Sequence, residues 1–491
     1  MKEVRKKSAD PAVNQLLVKA FRQGAALAWD RAEAMQPQCG FSRLSLCCSD
    51  CHEGPCRINP FGADDQRTIC GRNRFELVAG AFLRQVADGA GALARLGERF
   101  GASAGYAGPE PMDAMLVPED FAAAVAAAGT AAGTALAAIA AARDAAYGTA
   151  APDVTAVNLG VLKADAVNVV LHGHVPPAAV KLLAAAAAAA EAPVNIAVMC
   201  GSETTGDIAL PVLTNYDSQE AVLFTGAVDL LVRGSQCVMP AMVKMAAAAG
   251  VPVVSACAVA DAASAAAAIS QGVAAFRQRA GRTAPIPDVS EPLYTGYTAA
   301  NAKEALDALR AAWAAGRAAG LAYVGGCGNL GFTQDAAAVK TALSLIKRGY
   351  LVVTAGCAGA ALAKAGLCQP DAAGANAALK AALPDNLPPV LHLGACTDAG
   401  RFLAMAEMVR AAGVPVLAAF PEFAHNKTLA TAAAFAAAGV SVFAGLEAVF
   451  ADAKAASALA SGIPAGKGAP FLPMAALAEA VQPPAEAAKA R

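Results

Sequence analysis

The chain has 491 residues, 57% of them apolar and 16% charged, with a formal net charge of −1. That length accommodates two to four domains, and the balanced charge excludes both a basic stripe for nucleic acid and an acidic solvating tail. A small molecule or another protein is the expected partner. Thirteen cysteines, several in tight clusters, do not fall at the spacings of a disulfide framework. Metal ligation in a reducing, cytoplasmic setting explains them better.

The basic stretch 1–10 has no apolar run behind it and does not read as a secretory signal. Through residue 153 the pattern is helical, with helices expected over 75–96 and 118–147. Segment 121–142 is uncharged, but Phe121, Val125, Leu136 and Ile139 are its only strongly apolar residues, so a buried helix is expected there and no membrane span. From 154 onward short apolar runs alternate with Ala-rich helices: 166–171, 194–199, 228–232 and 251–255. After a Pro-rich connection, 285–297, and a helix over 299–319, the rhythm resumes at 321–324, 351–354, 390–393, 414–419 and 440–443. The fold class is therefore α/β: an N-terminal helical domain (1–153) carrying the first cysteine cluster, then two Rossmann-like doubly wound parallel-sheet domains (154–285 and 286–466). The low-complexity tail, 467–491, is expected to fray.

The spacing Cys48-x2-Cys51-x4-Cys56-x13-Cys70 supplies four thiolates, three of them on a segment that Gly54 and Pro55 force to turn. Such a set can wrap one 4Fe-4S cubane; a four-cysteine zinc site is the competing reading. Cys47 abuts Cys48, and neighbouring side chains leave the backbone in different directions. Cys47 therefore serves something else, and its nearest companion is Cys39. Those two thiolates make half of a four-ligand site that a two-fold axis would complete in a homodimer, unless they are a pair of free thiols.

A second set of ligands lies at predicted strand ends: His174, Cys200, Cys237, Cys327, Cys357 and Cys396. Open α/β sheets build their sites at these ends. Each cysteine alone reads as a core thiol; together, five soft thiolates and one imidazole exceed what a plain cubane needs and point to a larger or heterometallic cluster. Cys257 and Cys368 lack companions and are expected in the core. His172 reads as structural or as support to the ligands. Lys427, alone, reads as a solvated residue at a helix N-terminus.

The stretch Cys47-Cys48-Ser49-Asp50-Cys51-His52-Glu53-Gly54-Pro55-Cys56-Arg57-Ile58-Asn59-Pro60-Phe61-Gly62, with Ile69-Cys70-Gly71, resembles the nickel-containing anaerobic carbon monoxide dehydrogenases, relatives of the hybrid-cluster proteins. So do His172-Gly173-His174, Gln236-Cys237-Val238-Met239-Pro240, Gly326-Cys327-Gly328-Asn329, Thr354-Ala355-Gly356-Cys357 and Gly394-Ala395-Cys396-Thr397-Asp398, in family order. The resemblance implies an internal 4Fe-4S cluster on Cys48, Cys51, Cys56 and Cys70, and one shared between subunits on Cys39 and Cys47 of both chains. It also implies a Ni-4Fe-4S active-site cluster, with His174 and Cys200 on an outlying iron, Cys237, Cys327 and Cys357 on cubane irons and Cys396 on nickel. Lys427 matches the family's active-site lysine, and His174, Cys396 and Lys427 would be the catalytic group. The implied reaction interconverts CO and water with CO2, two protons and two electrons, relayed to a ferredoxin-like carrier.

Three departures accompany the resemblance. Residues 85–100 lack the family's ladder of proton-carrying histidines, the chain is shorter than the usual catalytic subunit, and Met199-Cys200-Gly201-Ser202-Glu203 replaces the family's paired cysteines and Asn-Glu pair. The alternatives are a hybrid-cluster-like reductase of hydroxylamine, nitric oxide or another small molecule, against which Cys200 in place of a glutamate argues, and a low-turnover redox or CO-responsive protein.

Overall fold

The computed structural model describes residues 6–63, 65–102, 105–110, 116–117, 119–279, 286–372, 376–463 and 468–481. Its first part is helical apart from a short antiparallel ribbon, β1 (Cys47–Cys48) with β2 (Cys56–Arg57). Strand β3 (Asp153–Val157) follows the long helix Phe121–Tyr147. Strands β4 (Val167–His172), β5 (Val194–Met199), β6 (Val228–Arg233) and β7 (Val253–Ser255) form a parallel sheet in the order β5-β4-β6-β7.

A second sheet contains β8 (Glu291–Thr295), β9 (Gly320–Val324), β10 (Tyr350–Thr354), β11 (Val390–His392), β12 (Val416–Phe420), β13 (Ser441–Ala444) and β14 (Phe471–Pro473), joined by β3. Its order is β14-β13-β12-β9-β10-β11-β8-β3. All its pairings are parallel except β3 with β8 at one edge. The architecture is the mixed α/β one expected, two doubly wound sheets behind a helical region. In both sheets the order reverses at a central strand: β5 lies to one side of β4 and β6 to the other, and β10 and β12 flank β9. Crevices open beyond the carboxyl ends of strands at such reversals.

Four details differ from expectation. The Pro-rich connection contains β8, which tolerates Pro292 because its pairing to β11 is confined to Thr295 opposite His392. Strand β3 belongs to the second sheet, although its residues adjoin the first in sequence. Within the segment expected to fray, Phe471 is fully buried against Phe82 and Phe450, and this burial holds β14 in the sheet; residues 482–491 lie outside the described residues. Cys257 is exposed, on a 3-10 turn (Ala256–Ala258) after β7, the edge strand of its sheet. Cys368 is fully buried in the core between the sheets and their helices.

Helix Phe121–Tyr147 is long and apolar enough to cross a membrane by length and composition, yet half of its most apolar window is buried inside the protein. It packs with the helices Arg74–Arg99 and Asn426–Ala437. Glycines set that closeness: a Cβ at Gly129 would stand 2.5 Å from the carbonyl oxygen of Ala433, and one at Gly89 would strike the carbonyl of Asn426. Asn73 caps the Arg74–Arg99 helix in a reciprocal capping box with Glu76. The resulting three-helix layer delivers Leu93, Lys427, Thr428 and Thr431 to one cavity.

Candidate metal centres

The cavity lies where the reversal points of the two sheets face each other. Cys200, Cys237, Cys327, Cys357 and Cys396 line it, with Lys427 and His425. Each cysteine follows the carboxyl end of a different strand: β5, β6, β9, β10 and β11. His174 follows β4. The backbone is bent to bring them in: His174, Cys200 and Cys237 have φ of 62°, 41° and 63°, three of the six non-glycine residues at positive φ among the described residues. Such conformations persist where the surroundings enforce them, and they concentrate at functional sites. Gly356 has φ 60° and lies so close to Cys396 that an added Cβ would stand 2.5 Å from the cysteine's own.

His174 is the hub. Its Nε2 accepts a hydrogen bond from Lys427 Nζ at 2.7 Å and lies 3.6 Å from Cys237 Sγ and 3.9 Å from Cys396 Sγ. Burial, reinforced by the Lys427 ammonium, pulls the imidazole down to about 4, so the ring is neutral. Lys427, buried at the first turn of its helix, also donates to Cys237 Sγ at 3.3 Å. Burial disfavours this ammonium, but the facing Cys237 and Cys396 sulfurs outweigh it and hold the lysine above its ordinary value. Cys237 is drawn well below the usual thiol range by a hydrogen bond from Cys200 and, against burial, by Lys427 and His174. Cys327 is pushed up to about 12 by burial and by the Cys357 sulfur, while Thr428 Oγ1 at 3.1 Å and the Ala424 N–H at 3.2 Å oppose the rise. Cys357 and Cys200 stand 3.5 Å apart, sulfur to sulfur.

The donor set fits a sulfur-ligated cluster. Soft thiolates with one neutral imidazole are the ligands of iron and nickel. His174 turns Nε2 toward the Cys237 and Cys396 sulfurs, so this is the ring nitrogen the site would present to a metal. Among the described residues no group of three or more His, Cys, Asp or Glu side chains is arranged to hold a single ion. The thiols instead ring a shared space, as a multi-atom assembly requires.

Surrounding residues hold this geometry. His172 is fully buried and pairs with Gln219 at 2.8 Å; the same glutamine's amide reaches the Cys237 carbonyl at 3.3 Å. The Cys396 loop is fastened from the long helix. Arg143 bonds Asp398 (3.2 Å) and the Glu203 carbonyl (2.5 Å), while Asp398 accepts the Ala395 N–H at 2.9 Å. Arg401 extends the tie to Asp144 at 2.8 and 3.0 Å. Sequence reading missed Arg143, although a buried arginine closing an Ala-rich uncharged run was a usable signal. It also gave no role to Glu203, whose carboxylate oxygens are buried without partners and which burial raises to about 7. His425 was missed as well; its ring packs edge-on to Tyr216, centroids 4.6 Å apart.

The N-terminal cysteines occupy the small ribbon and the loop before helix Arg74–Arg99. Side chains alternate along a strand, so adjacent Cys47 and Cys48 leave β1 on opposite faces. Cys48 is buried with Ile58 and Leu77, against which half-buried Cys56 packs; Cys47 is half-buried on the other face. Cys51 and Cys70 are exposed. Donors point at the sulfurs: Arg72 Nη2 to Cys48 at 2.9 Å, the Ile69 N–H to Cys56 at 3.5 Å and Thr68 Oγ1 beside Cys70 at 3.2 Å. Bonds from Thr68 and Arg72 hold the Cys70 thiol down at about 7. Thiolate ligands with N–H donors suit an iron-sulfur cluster. Cys39 precedes the short helix Gly40–Arg43 and is exposed.

Known proteins resemble this chain in sequence and fold. The Prismane/CO dehydrogenase family matches residues 110–465. Carbon monoxide dehydrogenase 1 of Carboxydothermus hydrogenoformans is 30% identical over 87% of this chain and 89% of its own. Among solved structures, carbon monoxide dehydrogenase IV from the same organism superposes with a TM-score of 0.86 at 26% identity, covering 97% of this chain and 98% of its own. A nickel-free carbon monoxide dehydrogenase from Thermococcus sp. AM4 gives 0.81 at 25% identity, over 97% of this chain and 96% of its own. The chain belongs to the Prismane/CO dehydrogenase family.

Proposed function

We propose that this protein is a carbon monoxide dehydrogenase that interconverts CO and water with CO2, two protons and two electrons. One observation carries the reading: His174, five strand-end cysteines and a buried, charged Lys427 converge on one cavity between the reversal points of two sheets. The relatives named above are carbon monoxide dehydrogenases and support it.

In this reading His174, Cys200, Cys237, Cys327, Cys357 and Cys396 hold a nickel-iron-sulfur cluster. When bound, that cluster supplies the electron sink and the Lewis acidity that polarises water and substrate. Lys427 Nζ places a fixed positive charge where negative charge develops, in a setting shielded from water. Its charge also disfavours protonation of the His174 imidazole and so keeps the ring a neutral ligand. Arg143 and Asp398 fix the Cys396 loop against the long helix, and Leu93 closes an apolar wall of the cavity. Two electrons leave through a cluster on Cys48, Cys51, Cys56 and Cys70 and one shared by Cys39 and Cys47 of two subunits of a cytoplasmic homodimer, for a ferredoxin-like carrier.

Metal analysis tests the reading. Protein expressed anaerobically with nickel is expected to contain nickel together with iron in excess of one cubane per chain. Iron without nickel, accompanied by hydroxylamine reduction, would assign the chain to hybrid-cluster-like chemistry instead.

A further inference from the structure

Arg72 belongs to both halves of the N-terminal cysteine site. Its backbone closes the turn that carries Cys70: the Thr68 N–H bonds the Arg72 carbonyl at 2.9 Å, and the Arg72 N–H bonds Thr68 Oγ1 at 2.9 Å. Its side chain crosses to the ribbon, where Nη2 reaches Cys48 Sγ at 2.9 Å and Asp50 Oδ2 at 3.0 Å. Asp50 is held on its other oxygen by Arg84. Arg72 is 7% exposed, and its Nε is buried with no hydrogen-bond partner.

A structural tie between Asp50 and the loop would need only a cation. The arrangement supplies more than that. Asp50 has a second arginine, so the two guanidiniums and one carboxylate leave one net positive charge beside the sulfurs. A guanidinium cannot be discharged by burial. Charge-assisted N–H bonds to sulfur favour the more negative state of an iron-sulfur cluster, and burial strengthens them. The unpartnered Nε–H is a further donor available to a sulfur acceptor.

We propose that Arg72 sets the reduction potential of the N-terminal cluster, raising it so that this cluster accepts electrons leaving the active site. The proposal rests on the reading that Cys48, Cys51, Cys56 and Cys70 hold a redox-active cluster. In the step concerned one electron enters that cluster from the active-site cluster, which is oxidised by one electron; no bond forms or breaks and no proton moves.

The experiment is a mediated redox titration of the anaerobic, nickel-loaded dimer, followed by EPR of the N-terminal cluster, for the wild type, Arg72→Gln and Arg72→Lys. At a fixed ambient potential the reduced-to-oxidised ratio in Arg72→Gln is expected to fall at least tenfold, a shift of about 59 mV for one electron. Arg72→Lys, which keeps the charge but loses the fork, falls less. Nickel content stays at the wild-type level in both. An unchanged potential in either variant with full iron content overturns the proposal. Should Arg72→Gln lose the cluster, Arg72→Lys alone decides. A wild type with no N-terminal cluster signal overturns the underlying reading, and the proposal with it.

Discussion

Lys427 Nζ lies 2.7 Å from Nε2 of His174, although 253 residues separate them. The pair joins the loop after β4 in one sheet to the helix that follows β12 in the other. A lysine in the first turn of a helix opposes the helix dipole, and burial adds to that cost. The facing sulfurs of Cys237 and Cys396 offset both. Lys427→Ala is expected to lower CO-dependent viologen reduction by at least about a hundredfold, the scale of a lost electrostatic stabiliser, with nickel and iron content retained. Retained activity would remove Lys427 from the chemistry.

Cys396 sits on a loop tied to the long helix by Arg143 and Asp398, away from the N-terminal ribbon. Cys396→Ala should remove nickel while leaving the absorbance of the N-terminal cluster. Loss of all iron would show that the two sites do not assemble separately.

Cys39 is exposed and Cys47 half-buried, so neither is enclosed by its own chain. Cys39→Ala should remove the iron of one cluster per dimer. An unchanged iron count would exclude the shared cluster.

His392, on β11, is fully buried beside Thr295 Oγ1 at 2.7 Å, and burial lowers its ring to about 4. A histidine lowered from the ordinary 6.5 resists protonation only when folded. Its contribution is complete above about 6.5 and is lost as pH falls toward 4, since the unfolded chain binds the extra proton in that window. At about 1.36 kcal/mol per pKa unit the loss approaches about 3 kcal/mol. Urea midpoints of the wild type should fall between pH 7 and 5, and His392→Gln should flatten that slope.

Gly129 has no room for a methyl group against the Ala433 carbonyl. Gly129→Ala must separate the helices Phe121–Tyr147 and Asn426–Ala437, at about 1 to 3 kcal/mol. A lowered thermal midpoint with reduced nickel retention would show that this contact positions Lys427; an unchanged midpoint would show that the helices part freely.

Much of this was legible in the sequence. The strand runs stood out because parallel strands buried on both faces are continuous apolar segments, and the cysteines that line the cavity were marked by their place just past those runs. What escaped was long-range pairing. Nothing local to residues 153–157 states that they join β8, and β8 itself was hidden by Pro292. Cys257 resembled a core thiol by residue type, whereas the edge position of β7 exposes it. Arg143 gained its meaning only when the fold brought Asp398, distant in sequence, to its side. Phe471 showed no more than an isolated aromatic in a simple tail, and its burial depends on Phe82.

The most direct test of the central claim is CO-dependent viologen reduction by anaerobic, nickel-loaded protein, with Cys396→Ala as the control. The account predicts reduction by the wild type, with CO2 formed at one molecule per two electrons, and none by the variant. A wild type that holds nickel and iron yet passes no electrons from CO would contradict it.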